Sequence, residues 1–325
     1  LWISGDVRIA LNIAVATLII TCPCALGLAV PAVSTAASGR LFRHGLLIKH
    51  ATAHERLAEV DTVVFDKTGT LTEGHPVLSD HDADQREQEV ARALAVASSH
   101  PLAMALNAGL TVAPAPVTDI REVPGNGIEG RLDGQSVRLG RADWVGASAP
   151  TATATWLKIG DAAPIAFRFV DTLRPGAAEA VAGLAAKGLD VRLLSGDSED
   201  AVRTLSATVG ITNWKAGVRP DEKAQIVEAL AAEGRKVLMV GDGLNDTAAL
   251  AAAHVSISPA SALDAARTVS DMVLLGSSLE PLTDAVDTAK RARRRILENF
   301  GIAATYNMIS IPLALAGLAT PLAAA

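Results

Sequence analysis

Asp66 ends the run TVVFD (62–66) and opens DKTGTLT (66–72), Asp197 ends VRLLSGD (191–197), and Asp242 and Asp246 frame GDGLND (241–246). An aspartate carboxylate can attack a phosphoryl group and form an aspartyl phosphate. The phosphoryl in flight carries charge on three oxygens, so such a site needs Mg²⁺, a fixed cation and hydroxyl or backbone donors. Asp242 and Asp246 offer carboxylates for the ion, Lys223 is the available cation, and Ser195 with Gly196 offers hydroxyl and backbone donors. An aspartate after a strand is often only the cap of the next helix. Four positions in this order, each at the edge of a strand or helix, argue against caps alone.

The elements that must carry these residues are short and apolar. TVVFD, VRLLSGD, KVLMVGD (236–242), HVSISP (254–259) and DMVLLG (271–276) read as β-strands ending in polar residues or glycine. Between them lie helical patterns such as 174–188, with Pro175 at its start and Gly188 at its end, and 220–234, opened by Pro220 and closed by Gly234. Strands alternating with capped helices predict an α/β fold with a doubly wound parallel sheet. Ligands of such sheets bind beyond the carboxyl ends of the strands. Asp66, Asp197 and Asp242 fall there.

The 325 residues suffice for two to three domains, and 50% hydrophobic residues allow sizeable cores. A net charge of −6, with no basic stretch interleaved by aromatics, argues against a nucleic-acid partner. No charged residue occurs from Ile9 to Gly39 or from Asn299 to Ala325. Each stretch is long enough for a membrane-spanning helix of about 20 residues. Arg40, Arg43, Lys49 and Arg56 follow the first, and Lys290, Arg291 and Arg293 to Arg295 precede the second. The positive-inside rule then places residues 40–295 on the cytoplasmic side.

The chain's only cysteines, Cys22 and Cys24, flank Pro23 inside the first apolar stretch. With one residue between them an unstrained disulfide is disfavoured. Proline in a helix frees the carbonyl four residues back, here Ile19. Local unwinding could bring both sulfurs to one site for a soft ion, Cu(I) above all, with Zn(II) open. A proline kink lined by small hydrophobes is the other reading of the same triplet.

Taken together, DKTGTLT, SGD (195–197), Lys223, GDGLNDTAAL (241–250) and TCPCALGLAVP (21–31) resemble the heavy-metal-transporting P-type ATPases, from their fourth membrane span to the start of the sixth. The resemblance implies a haloacid-dehalogenase-like sheet with an inserted α+β nucleotide-binding domain, flanked by transmembrane helices. The corresponding segments are 1–50, 51–74, 75–170 (nucleotide-binding), 171–290 and 291–325. It implies Asp66 as the phosphorylated residue, with Lys67, Thr68, Ser195, Gly196, Asp197, Lys223, Asn245 and Asp246 around it. Mg²⁺ would sit on Asp66, the Thr68 carbonyl, Asp242 and Asp246. Soluble relatives that hydrolyse their aspartyl phosphate carry a second Asp two residues after the nucleophile as general acid/base. Here that residue is Thr68, so water would be activated from a separate actuator domain, of which no TGE sequence occurs in this chain.

Within 75–170, His100 and Pro101 open a helical pattern, and Asp133-Gly134 joins two strand patterns. GNGIEG (125–130) matches GxGxxG but precedes a hairpin, which disfavours a dinucleotide fingerprint. The resemblance instead implies ATP contacts at His100, Pro101, Gly125, Gly127 and Gly140, with Ser99 and Arg141 standing where Glu and Asn are usual. Tyr306 and Asn307 in the last apolar stretch, with no Lys, Asp or Glu after Glu298, resemble the copper(I) subclass. They would complete a Cu(I) site with Cys22 and Cys24. The expected function is ATP-driven Cu(I) export by a multi-pass protein of the bacterial inner membrane, with a copper chaperone as candidate partner. A Zn(II)/Cd(II) pump and a membrane-bound metal-binding module without pump activity are the alternatives.

Overall fold

The structure is a computed structural model that describes residues 7–21, 24–148 and 153–319. Two compact units result, Asp61–Glu280 and the two ends, Leu1–Val60 with Pro281–Ala325.

In Asp61–Glu280 the apolar runs form parallel strands. Their order across the sheet is Asn213–Lys215, Asp190–Leu194, Thr62–Asp66, Val237–Val240, Val255–Pro259 and Met272–Leu274. Every residue of Thr62–Asp66 and Val237–Val240 is buried, as expected for central strands covered on both faces. Val64, Leu194 and Met239 meet Val227 and Leu230 of the helix Pro220–Ala232. The helices Ala177–Ala186 and Glu199–Val209 also bury apolar stripes, with Val181, Leu184, Val202 and Leu205 inside. Along the chain the sheet grows outward in one direction from Thr62–Asp66 to Asn213–Lys215, then restarts on the other side at Val237–Val240. That reversal leaves a crevice at the carboxyl ends of Thr62–Asp66 and Val237–Val240.

In the chain between Thr62–Asp66 and Asp190–Leu194 lies a six-stranded antiparallel sheet, ordered Thr72–His81, Ile165–Leu173, Ala154–Ile159, Gln135–Gly140, Gly127–Leu132 and Thr118–Val123. Alternation directs Ile128, Leu132, Val137 and Leu139 to one face, where Val90, Leu94 and Leu106 of the helices Gln85–Val96 and Pro101–Gly109 cover them. The first helix starts in a capping box: Asp84 accepts from the Glu87 amide at 2.8 Å, and Glu87 accepts from the Asp84 amide at 2.7 Å. Asp133 and Gly134 both take positive φ, 50° and 81°, and close the hairpin the sequence predicts. The architecture is thus the expected α/β sheet with an α+β insertion.

In the other unit the expectation of transmembrane helices is corrected. Among the described residues no helix is long and apolar enough to cross a membrane. The described residues of the first apolar stretch lie on the helices Val7–Thr21 and Cys24–Arg43. Pro281–Leu315 has 35 residues, but it is uncharged only from Asn299 onward. Ala16 and Ile20 of the first helix pack on Ala314 of the last. Asp284 receives Arg40 at 3.4 Å and His44 at 3.3 Å.

Among the described residues, the core of the insertion and the core around Val227 and Met239 are separate clusters, so they should respond separately. Phe167 is fully buried in the insertion. Phe167→Ala is expected to cost about 3–5 kcal/mol there. Hydrogen exchange should then show protection lost over 85–109 and kept over 220–250.

Candidate active site

Asp66 leaves its strand into the turn Lys67–Leu71, where Gly69 takes φ 70°. A Cβ on Gly69 would stand 1.6 Å from Asp242 Oδ2, so the glycine of DKTGT is required by the approach of the second aspartate as well as by the turn. Lys223, in the first turn of Pro220–Ala232, brings its Nζ to both the Asp66 carboxylate and Asp246 Oδ1, the latter at 2.8 Å. Asp66 and Lys223 are 5% exposed and Asp246 1%. Carboxylate oxygens of Asp66, Asp242 and Asp246 lie within 4.8 Å of one another.

This crowding sets the electrostatics. Burial, then the Asp246 charge, pushes Asp66 up to about 7 against the opposing pull of Lys223. Burial and Asp246 push Asp242 up to about 6, against Arg174 and Lys223. Lys223 itself is held above its ordinary value: burial lowers it, but Asp66 and Asp246 together raise it by more. Three carboxylates with one buried lysine among them are short of positive charge. Oxygen-only donors at this spacing suit a hard divalent cation such as Mg²⁺.

Arg174, which the sequence reading did not single out, sits where the insertion rejoins the sheet and is 5% exposed. Its guanidinium donates to the carbonyls of Gly69 at 2.5 Å, Thr70 at 2.9 Å and Ser277 at 3.3 Å, and to Ser261 Oγ at 3.3 Å. It thereby fixes the turn that follows Asp66. Burial lowers its affinity for the proton, and the charges of Asp242 and Glu73 oppose that.

The remaining expected residues separate into two groups. Ser195 is buried at the end of Asp190–Leu194, its Oγ accepting from the Asp197 amide at 3.2 Å. Gly196 follows, where a Cβ would stand 3.4 Å from the Val218 carbonyl. Lys67 pairs with Asp197. Thr68 and Asn245 are exposed, so neither side chain joins the buried cluster. Cys22 lies outside the described residues, as does the side chain of Cys24. Tyr306 is exposed and Asn307 half-buried on Pro281–Leu315.

A second site occupies the antiparallel sheet. A cavity of about 550 Å³ is lined by His100, Glu122, Gly125, Gly127, Gly140 and Arg141, among others. Gly127 pairs with Gly140 across the strands. A Cβ on the first would stand 2.3 Å from the Leu139 carbonyl, and one on the second 2.2 Å from that of Asn126. His100 caps the helix it precedes, Nδ1 accepting from the Leu102 amide at 3.3 Å. Pro101 is exposed in the first turn and is not part of the cavity wall.

The raised carboxyl groups make stability depend on pH. The folded state holds protons on Asp66 and Asp242 that the unfolded chain, with ordinary values near 3.8, has released. Stability of the metal-free protein should therefore fall as pH rises from about 4 to about 7. Thermal melts should show this decline, and Mg²⁺ should raise Tm more at pH 7.5 than at pH 5. Asp242→Asn should stabilise the metal-free protein by about 1 kcal/mol, allowing for partial exposure, and remove most of the Mg²⁺ effect.

Comparison with known proteins agrees with this geometry. The family model of haloacid dehalogenase-like hydrolases matches residues 60–254. Nitrogen fixation protein FixI of Rhizobium meliloti (strain 1021) is 44% identical over 99% of this chain and 43% of its own length. A copper-exporting P-type ATPase of Mycobacterium tuberculosis (strain ATCC 25618 / H37Rv) is 37% identical over 97% of this chain and 44% of its own. The chain thus spans less than half the length of these relatives. Among solved structures, a zinc-transporting PIB-type ATPase in its E2.Pi state superimposes with a TM-score of 0.82 at 31% identity, over 94% of this chain and 53% of that one. The catalytic domain of the CPx-ATPase CopB-B superimposes with a TM-score of 0.67 at 31% identity, over 77% of this chain and 98% of that domain. The chain belongs to the haloacid dehalogenase-like hydrolases and, among them, to the P-type ATPases.

Proposed function

We propose that this chain is the phosphoryl-accepting and nucleotide-binding part of a pump that uses ATP to export Cu(I) from the cytoplasm across a membrane, with Asp66 as the phosphorylated residue. The observation that carries the reading is the buried cluster of Asp66, Asp242 and Asp246 around Lys223. ATP occupies the cavity beside His100 and the paired glycines Gly127 and Gly140. An Asp66 carboxylate oxygen attacks the γ-phosphorus, the bond to the β-phosphate oxygen breaks, and ADP leaves with that electron pair. Asp66 must be ionised to attack, and Lys223 stabilises both that carboxylate and the charge on the transferring oxygens. Asp66, Asp242, Asp246 and the Thr68 carbonyl would hold Mg²⁺, which supplies the positive charge the cluster lacks.

Thr68 determines the lifetime of the phosphorylated form. Without a carboxyl group at this position, the acyl phosphate has no adjacent general base for water, and it persists until another part of the protein supplies one.

Copper is the favoured ion because of the relative named for its export and the absence of acidic residues after Glu298. The likeness to a zinc-transporting structure favours Zn(II) as the second reading. Membrane residence of the whole protein is supported by the apolar surface of the terminal helices, where Leu11, Leu18, Ile302 and Ile309 are exposed. Metal delivery by a chaperone, and location in a bacterial inner membrane with 40–295 cytoplasmic, belong to the same proposal.

Acid-stable ³²P labelling from γ-labelled ATP in the full-length protein tests it. Labelling should require Cu(I), be lost in Asp66→Asn and in Cys22→Ala/Cys24→Ala, and fall by about 10²-fold or more in Lys223→Ala. Labelling driven by Zn(II) and indifferent to Cu(I) would select the second reading, and labelling that survives Asp66→Asn would overturn both. In a separate chase, Thr68→Asp should shorten the lifetime of the label at least tenfold.

A further inference from the structure

The cavity of the antiparallel sheet has a polarity that the paired glycines alone do not supply. Among its lining residues Glu122 is the one carboxylate and Arg141 the one guanidinium. Glu122 lies on Thr118–Val123, paired with Ile128, while Arg141 directly follows Gln135–Gly140 and donates its amide to the Asn126 carbonyl at 2.9 Å. Their strands flank Gly127–Leu132 on opposite sides. Two strand spacings, about 9–10 Å, therefore separate the backbones that carry the two charges. Between them Gly127 and Gly140 present no side chain. A molecule in this cavity meets one carboxylate and one guanidinium, carried on the strands either side of Gly127–Leu132.

Neither charge is consumed within the protein. Glu122 accepts one hydrogen bond, from Ser98 Oγ, and its second oxygen has no protein donor among the described residues. Arg141 reaches only Asp143, at 3.5 Å, with both side chains about 70% exposed. Such a pair contributes little and yields readily to a stronger anion. A carboxylate repels a triphosphate, so it can serve a nucleotide only at the end remote from the phosphates.

Resting on the reading of this cavity as the nucleotide site, we infer that Glu122 reads the base, accepting a hydrogen bond from the exocyclic amine of adenine, while Arg141 holds the phosphate end. Glu122 is thus a specificity-determining residue. A hypoxanthine nucleotide carries a carbonyl in place of that amine and sets an acceptor against the carboxylate. A site built for a donor rejects an analogue that lacks it far more strongly than a merely apolar site does.

Calorimetric titration of the detergent-solubilised chain with ATP, ITP and AMP tests the assignment in wild type, Glu122→Ala, Arg141→Ala and Gly127→Val. Wild type should bind ATP at least tenfold more tightly than ITP. Glu122→Ala should bring the two within about twofold, mainly by weakening ATP. Arg141→Ala should weaken ATP several-fold and leave AMP within about twofold. An ATP/ITP ratio unchanged by Glu122→Ala overturns the inference while ATP binding lost in Gly127→Val keeps the cavity as the nucleotide site. ATP binding that survives Gly127→Val, or no ATP binding by wild type, overturns the nucleotide reading of the cavity and the inference with it.

Discussion

Three carboxylates held around one buried lysine are the constraint on which the rest of this molecule depends. Burying like charges costs several kcal/mol per ion unless partners compensate, and the fold provides only part of that compensation. Lys223 reaches both Asp66 and Asp246, while Asp242, the most solvated of the three, faces the Gly69 turn. The two raised carboxyl groups are the remaining imbalance. A divalent cation offsets that imbalance and lets the site accept an anionic phosphoryl group, so the features that make the site chemically competent are those that make it costly when empty.

Holding such a site demands rigid supports, and the sheet supplies them. Asp66 ends a strand buried on both faces, and Asp242 follows the neighbouring strand by two residues, which sets both at the point where the strand order reverses. Arg174, a residue from the far end of the insertion, ties the turn after Asp66 by two of its carbonyls, those of Gly69 and Thr70, and links it to the Ser277 carbonyl. The insertion is therefore joined to the site covalently on both sides and by hydrogen bonds as well. Thr72 Oγ1 donates to Asp171 Oδ2 at 2.5 Å across the two connecting strands.

The legible part of this architecture was the part written in local pattern. Asp66, Asp242, Asp246 and Lys223 were found because each stands next to a strand end or helix start that its neighbours announce, and the hairpin at Asp133-Gly134 because its turn chemistry is local. Arg174 and Glu122 escaped, since a buried guanidinium and a cavity-lining carboxylate look in sequence like any surface charge. Only the pairing of distant strands reveals them. Gly69 was readable as a turn residue, but its second reason, the approach of Asp242, is a contact across more than 170 residues. The terminal apolar stretches were less legible for a physical reason: absence of charge gives the length of an apolar run but not where a helix begins, and the last run is the tail of a helix charged over its first half.

Localising the covalent intermediate tests the central claim most directly. The full-length protein would be incubated with Mg²⁺, ATP and the transported ion, quenched, reduced with borohydride to convert an acyl phosphate to the corresponding alcohol, and digested for mass spectrometry. The account predicts homoserine at position 66 and unmodified aspartate at 242 and 246. Reduction at Asp242 or Asp246, or at none of the three in a protein that is turning over ATP, would contradict it.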